Sequence, residues 1–216
     1  DKLGRDVLSR ILYGGAYSLS SVLALVAIIF CVGTFLGLVA GYFGGLIDTV
    51  IMRVADMMIS FPGVILAIAI AGIMGGSLVN AMIALTAVTW TKYARLSRSM
   101  VLKIRKRDFV DAAIVSGGTS SHILWTHIMP NVVPILVITA VSDIGAMMME
   151  LAGLSFLGFG SQPPAPEWGL MLNEGRQQLQ TAPWLMVFPG LAIFISVVIF
   201  NLWGDALRDV LDPRDQ

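Results

Sequence analysis

Charge is scarce in this chain. Asp, Glu, Lys and Arg make up only 13% of its 216 residues, and the formal net charge is +0. A soluble domain carries about 25%, so an ordinary water-borne domain is excluded. Electrical neutrality removes the electrostatic footprint of a nucleic-acid binder. Cysteine is nearly absent. Cys31 stands alone in an apolar run, so no internal disulfide can form and the thiol reads as a small packing residue. The two histidines, His122 and His127, lack the acidic or cysteine companions of a zinc or catalytic site. No G-x-x-x-x-G-K-[ST] loop is present to cradle nucleotide phosphates, and no H-E-x-x-H, G-x-S-x-G or C-x-x-C occurs. The chain is therefore expected not to act as an enzyme alone and to carry no metal or cofactor of its own. The basic start and apolar core of a signal peptide are also missing after Asp1.

What the chain has is apolar length. Hydrophobic residues make up 56% of it, and mean hydropathy is +0.82. A membrane-crossing helix takes roughly 20 such residues, and five stretches qualify. They are Ser18–Phe43, Asp48–Met74, Ser77–Ala94, Asn131–Leu157 and Trp184–Leu202. The expected fold is an all-α polytopic bundle. Before the first span, Leu3, Val7, Leu8, Ile11 and Leu12 share one helical face, which predicts an interfacial amphipathic helix over residues 1–17. Gly33, Gly37, Gly41 and Gly45 recur every four residues, a small-residue face that admits close helix approach. Its partner is not legible. In the second span, Arg53 and Asp56 are three apart and can pair, either as a structural ion pair or in gating, and Phe61-Pro62-Gly63 should break or kink the helix. Trp90 and Tyr93 are placed as interfacial anchors of the third span.

Half the cations crowd into one place. Lys92, Arg95, Arg98, Lys103, Arg105, Lys106 and Arg107 precede a polar, helix-prone hairpin at residues 107–131. Such a segment cannot sit in hydrocarbon, and its positive bias puts it on the cytoplasmic side. Arg53, Arg208 and Arg214 then also lie inside, with Arg176 and the N-terminal Lys2, Arg5 and Arg10 outside. In the fourth span, Asp143 and Glu150 lie seven apart on one face, with Met147 between them. Asp143 falls about 18 Å along the helix at 1.5 Å per residue. Carboxylates at that depth face a pathway or a buried partner, so Asp143, Met147 and Glu150 are candidate pathway residues.

The hairpin also carries a resemblance. Asp111-Ala112-Ala113, Gly117 and His127-Ile128-Met129-Pro130, at these spacings, resemble the EAA loop of bacterial ABC importer permeases, with Asp111 where Glu is usual and Met129 where Leu is usual. The segments LGRDVLSRILYG, MRVADMMISFP and SFLGFGSQPPAPEWG resemble the dipeptide, oligopeptide and nickel branch of that family. The resemblance implies a type I, MetI-like permease domain over residues 18–207, with a cytoplasmic tail at 208–216. It implies that Asp111, Ala112, Ala113, Gly117, His127 and Pro130 belong to a coupling loop, in which Gly117 turns the chain and Pro130 stops the second helix. A sixth, N-terminal span is implied to be missing from this chain. A second permease, two ATPase subunits holding ATP and magnesium, and an extracytoplasmic binding protein are the implied partners. The setting is the bacterial inner membrane. The cargo would be small peptides or nickel, and the outer loop 158–182 would cap the pathway or meet the binding protein. The nickel members have histidines where this chain places Ala146 and Glu150. The residues alone also admit an ion- or proton-coupled transporter or channel using Asp143 and Glu150, or an intramembrane enzyme.

Overall fold

The computed structural model describes residues 1–211. Arg214 and the rest of the expected tail beyond 211 lie outside them. Among the described residues the chain is helical throughout, without strands. The first helix, α1 (Val7–Phe43), is 37 residues long. The separate helix expected at 1–17 is therefore not separate. No proline and no cap interrupts Tyr13–Ser18, so the helix propagates from Val7 straight into the first span. Along its first turns Leu8, Leu12 and Tyr13 are exposed, while Arg10, Gly14, Gly15 and Ser18 are buried.

After a break at Gly44 come α2 (Gly45–Ile59) and α3 (Gly63–Met74), separated at Ser60-Phe61-Pro62. Pro62 lacks the N–H that would continue α2, so the expected second span is a broken pair. Next is α4 (Leu78–Ile104), then the short α5 (Asp108–Val115) and α6 (Ser120–Ile123). A π-helical turn over Leu124–Ile128 leads directly into α7 (Met129–Phe156). A short α8 (Trp168–Gly175) and the long α9 (Trp184–Leu211) complete the order. Among the described residues three helices are long and apolar enough to cross a membrane, Val7–Phe43, Ser120–Phe156 and Trp184–Val210, and the broken pair, bent by 93°, makes a fourth if it is one span. The expected third span, Ser77–Ala94, is not among them; α4 carries Lys92, Arg95, Arg98 and Lys103 in its second half.

The chain folds as two compact units. One takes Asp1–Val26, Val64–Ala87 and the chain from Val141; the other takes Ala27–Gly63 and Val88–Ala140. In the second unit the glycine face finds its partner within the chain. Gly33 packs on Trp90 and Tyr93, Gly37 on Ala94 and Ser97, and Gly41 on Arg98 and Val101, so α1 and α4 meet backbone to backbone. Gly45 is not part of that face and has open space around it. Trp90 and Tyr93 are consequently core residues, 8% and 1% exposed, rather than interfacial anchors. The ring of Tyr93 meets Phe30 edge-on at 6.1 Å. Asp56 pairs with Arg95 of α4 and not with its helix neighbour Arg53. Asp48 receives both Nε and Nη2 of Arg98 at 2.5 Å. Arg105 donates to the Tyr42 carbonyl at 2.8 Å. Three of the seven clustered cations thus hold α1, α2 and α4 together.

Candidate functional site

The elbow between α4 and α7 is built by local chain chemistry. Arg107 is extended and precedes α5, and Asp108 and Asp111 occupy its first turn, where carboxylates suit the positive helix end. The helix closes at Ser116, whose N–H and Oγ both donate to the Ala112 carbonyl, at 3.0 and 2.8 Å. Gly117 then takes φ 82°, a left-handed conformation costly for any residue with a Cβ. Its N–H reaches Ile114 O and that of Gly118 reaches Ala113 O, both at 3.0 Å. These bonds satisfy the last carbonyls of α5. Thr119 caps the next helix, accepting from the His122 N–H at 3.4 Å.

Pro130 does not stop that second helix. The chain runs as one helix from Ser120 to Phe156. The physical reason is the π turn over Leu124–Ile128. A turn of i→i+5 bonding shifts the ladder by one residue, and a proline that cannot donate is accommodated there. The turn also brings the rings of His122 and His127 together, with centroids 5.8 Å apart.

Burial divides the elbow in two. Val110, Ile123, Leu124 and Ile128 are buried and fix it internally. Asp111 and Ala112 are exposed and Ala113 half-buried. Beside them Phe109 is 44%, Ile114 49%, Val115 88% and Trp125 46% exposed. The residue order did not single out these four, although large apolar residues on α5, outside the spans, were a readable signal.

The candidate pathway residues are not equivalent. Met147 is buried among core side chains, 5% exposed. Asp143 and Glu150 are both half-buried. Glu150 lines an otherwise apolar cleft of about 210 Å³ with Val64, Ile68, Leu85 and Leu154; Asp143 and Met147 do not reach it. Ala146 is exposed. Among the described residues, no three His, Cys, Asp or Glu side chains are grouped to hold a metal ion.

The outer segment 158–182 is tied down, which sequence order did not reveal. Trp168 is buried; its backbone N–H donates to Ser18 Oγ at 3.1 Å and its Nε1–H to Ile11 O at 2.9 Å. Glu167 caps α8, accepting from the N–H groups of Gly169 and Leu170 at 2.8 Å. Burial pushes the Glu167 carboxyl above its ordinary value, against the opposing pull of those two bonds and one from Ser155. Glu174 accepts from Arg10 at 2.6 Å and Arg5 at 2.8 Å. Burial alone would raise Glu174, but the bonds from Arg10 and Arg5 outweigh it and hold the carboxyl below the usual range.

The chain matches the family described as binding-protein-dependent transport system inner membrane component over residues 33–214. It is 46% identical over 214 residues to the nickel transport system permease protein NikC of Escherichia coli (strain K12), covering 99% of this chain and 77% of that protein. It is 44% identical to the dipeptide transport system permease protein DppC of Alkalihalophilus pseudofirmus, covering 99% and 70%. The glutathione transport system permease protein GsiD of Pectobacterium atrosepticum is likewise 44% identical, with 99% and 71% covered. Among solved structures, a chain of the inward-facing MetNI methionine ABC transporter superposes with TM-score 0.72 over 95% of this chain and 98% of that one. At 18% identity this last likeness is one of fold.

Proposed function

This chain belongs to the binding-protein-dependent transport system inner membrane component family, and we propose that its elbow, residues 107–131, is where a partner ATPase drives it. The chain is a permease subunit of an ABC importer in the inner membrane. The gradient-driven transporter and the intramembrane enzyme are set aside with that membership. ATP and its magnesium would be held by two partner subunits, and a second permease would complete the pathway.

The observation that carries the coupling role is the exposed apolar surface of Phe109, Ile114 and Val115 on α5, outside the spans, with Val115 88% exposed. Such a patch on a polar loop marks a partner surface. Asp111, Ala112 and Ala113 present carboxylate and small side chains beside it, and Gly117 fixes the angle between the elbow's two helices. His127 and Pro130 lie in and just after the π turn, on the helix that continues into α7. A push on the elbow would travel along that unbroken helix to Asp143, Met147 and Glu150, opening the pathway to alternate sides. The cargo is proposed to be a small peptide or nickel, brought by an extracytoplasmic binding protein. This rests on the relatives named for nickel and dipeptide transport. Glu150 in its apolar cleft would meet a cation or an ammonium group.

Val115→Asp tests the coupling role. A charge placed in an apolar contact centre costs at least about 2 kcal/mol, roughly 30-fold in affinity. ATP hydrolysis stimulated by loaded binding protein, and uptake, should both fall in the reconstituted assembly. The unfolding midpoint of the isolated chain should stay put, because the side chain touches little of its own protein. Uptake at the unaltered rate would refute the docking role.

A further inference from the structure

The seven clustered cations do not all have structural duties. Arg95, Arg98 and Arg105 are consumed by Asp56, Asp48 and the Tyr42 carbonyl, and Lys92 also has an interaction. Lys103, Lys106 and Arg107 remain, and none of them forms an ion pair among the described residues. Lys103 and Arg107 line one cleft of about 410 Å³ at the end of α4, opposite the start of α5. Lys106 is exposed beside them. A water takes up about 30 Å³ of liquid, so the cleft has room for far more than hydration of two cations. Its other walls are mixed. Met100, Ile104 and Phe109 supply apolar surface, and Asp108 is the one acidic group lining it. Leu102 on the same turn is 38% exposed and Phe109 44%.

We propose that this cleft binds the headgroup of an anionic phospholipid from the cytoplasmic leaflet. Two unpaired cations facing one cavity are a receptor for a phosphate oxygen pair, with arginine offering a fork and lysine a point charge. The apolar walls distinguish a lipid from free phosphate, because a glycerol backbone and the first acyl methylenes occupy the side that a phosphate ion leaves bare. The cleft also sits where positive bias places the membrane's inner edge, and that leaflet concentrates anionic lipid near basic segments. Lys103 belongs to the last turn of α4 and Arg107 directly precedes α5. The lipid would therefore clamp the joint between α4 and the elbow. This inference stands on the cleft alone and does not require the ATPase-coupling role.

The test uses the full chain purified in neutral detergent and exposed to mixed vesicles or nanodiscs of phosphatidylglycerol and phosphatidylcholine. Native mass spectrometry reads the lipid that stays bound. Wild type should retain phosphatidylglycerol at least tenfold over phosphatidylcholine. K103Q/R107Q should lose that preference, and the charge-preserving K103R/R107K should keep it. The second variant shows that any loss in the first is one of charge rather than of folding. Equal retention of both lipids by wild type overturns the proposal, as does an unchanged preference in K103Q/R107Q. Displacement of the lipid by millimolar inorganic phosphate would assign the cleft to a free anion instead. Protection of Lys103 from acylation by added ATPase subunit, with no lipid bound, would assign it to that protein.

Discussion

Gly33→Ala separates two physical arguments that give opposite signs. On intrinsic helix propensity alone, alanine for glycine stabilises a helix by about 1 kcal/mol. Here a Cβ at position 33 would stand 2.5 Å from Tyr93 Cβ and 2.6 Å from the Trp90 carbonyl oxygen. Neither atom has a rotamer with which to move aside, so α1 and α4 must separate. Reaching the 3.4 Å of ordinary contact takes about 0.9 Å at Tyr93. Gly37 and Gly41 farther along the same face resist that movement, and the 3.2 Å bond from Ser97 Oγ to Thr34 O would stretch with it. Overpacking of this kind costs about 1–3 kcal/mol. Rigid near neighbours place the cost in the upper half, leaving a net loss of about 1–2 kcal/mol. Gly153 supplies the internal control, since an added Cβ there meets nothing within 4 Å. Gly153→Ala should show the propensity gain alone. The assay is equilibrium unfolding of the isolated chain in mixed micelles, comparing the two variants. Stabilisation of both would refute the claim that α1 and α4 are in backbone contact.

Two glutamates of the outer segment should give pH slopes of opposite sign. Burial pulls Glu174 upward, but Arg10 and Arg5 outweigh it and hold the carboxyl below its usual value of 4.5. Its contribution is complete above 4.5 and is lost as pH falls through the lower folded value, and E174Q should flatten that acid loss. Glu167 is raised above 4.5 by burial. It therefore favours folding most below 4.5 and loses that contribution as pH rises, and E167Q should remove the fall; the unfolding midpoint against pH reads both, and slopes of the same sign would contradict the assignment. Trp168→Ala empties a buried site and should cost about 3–5 kcal/mol. Trp168→Phe keeps most of the volume and forfeits the Nε1–H bond to Ile11, for about 1 kcal/mol; proteolysis within 158–182 should rise sharply in the first and little in the second.

What the residue order revealed depends on how locally each feature is determined. The turn at Gly117 is settled by its immediate neighbours, so spacing was enough to find it. The break at Pro62 is settled by one missing N–H. The glycine face every fourth residue announced a close approach, but its partner is α4, far along the chain, and no periodicity names a partner. Trp90 and Tyr93 were misplaced for the same reason. An aromatic near the end of an apolar run looks the same whether it faces a headgroup or another helix, and Gly33 across from Tyr93 decides it. Arg53 and Asp56 share a helix face, yet Asp56 turns to Arg95 of α4, a partner that no spacing within α2 could name. Pro130 misled because the rule for proline in a regular helix does not anticipate a π turn just before it.

The elbow and the outer segment then differ in a way that bears on how the molecule works. The inner side is mechanically continuous: a capped short helix, a fixed glycine turn and a helix from Ser120 to Phe156 without a break. The segment 158–182 is held by the buried Trp168 and by polar contacts between distant residues, Trp168 to Ser18 and Ile11, and Glu174 to Arg5 and Arg10. Polar contacts of this kind are individually modest in net free energy, about 0.5–3 kcal/mol each, and they can be exchanged for water or for polar groups of another protein at little cost. The helix from Ser120 to Phe156 has no such exchangeable ties, and its π turn and Pro134 are the places where it can bend. If the elbow is where an ATPase docks, work would enter along that helix, while the segment 158–182 would yield by exchanging its polar ties.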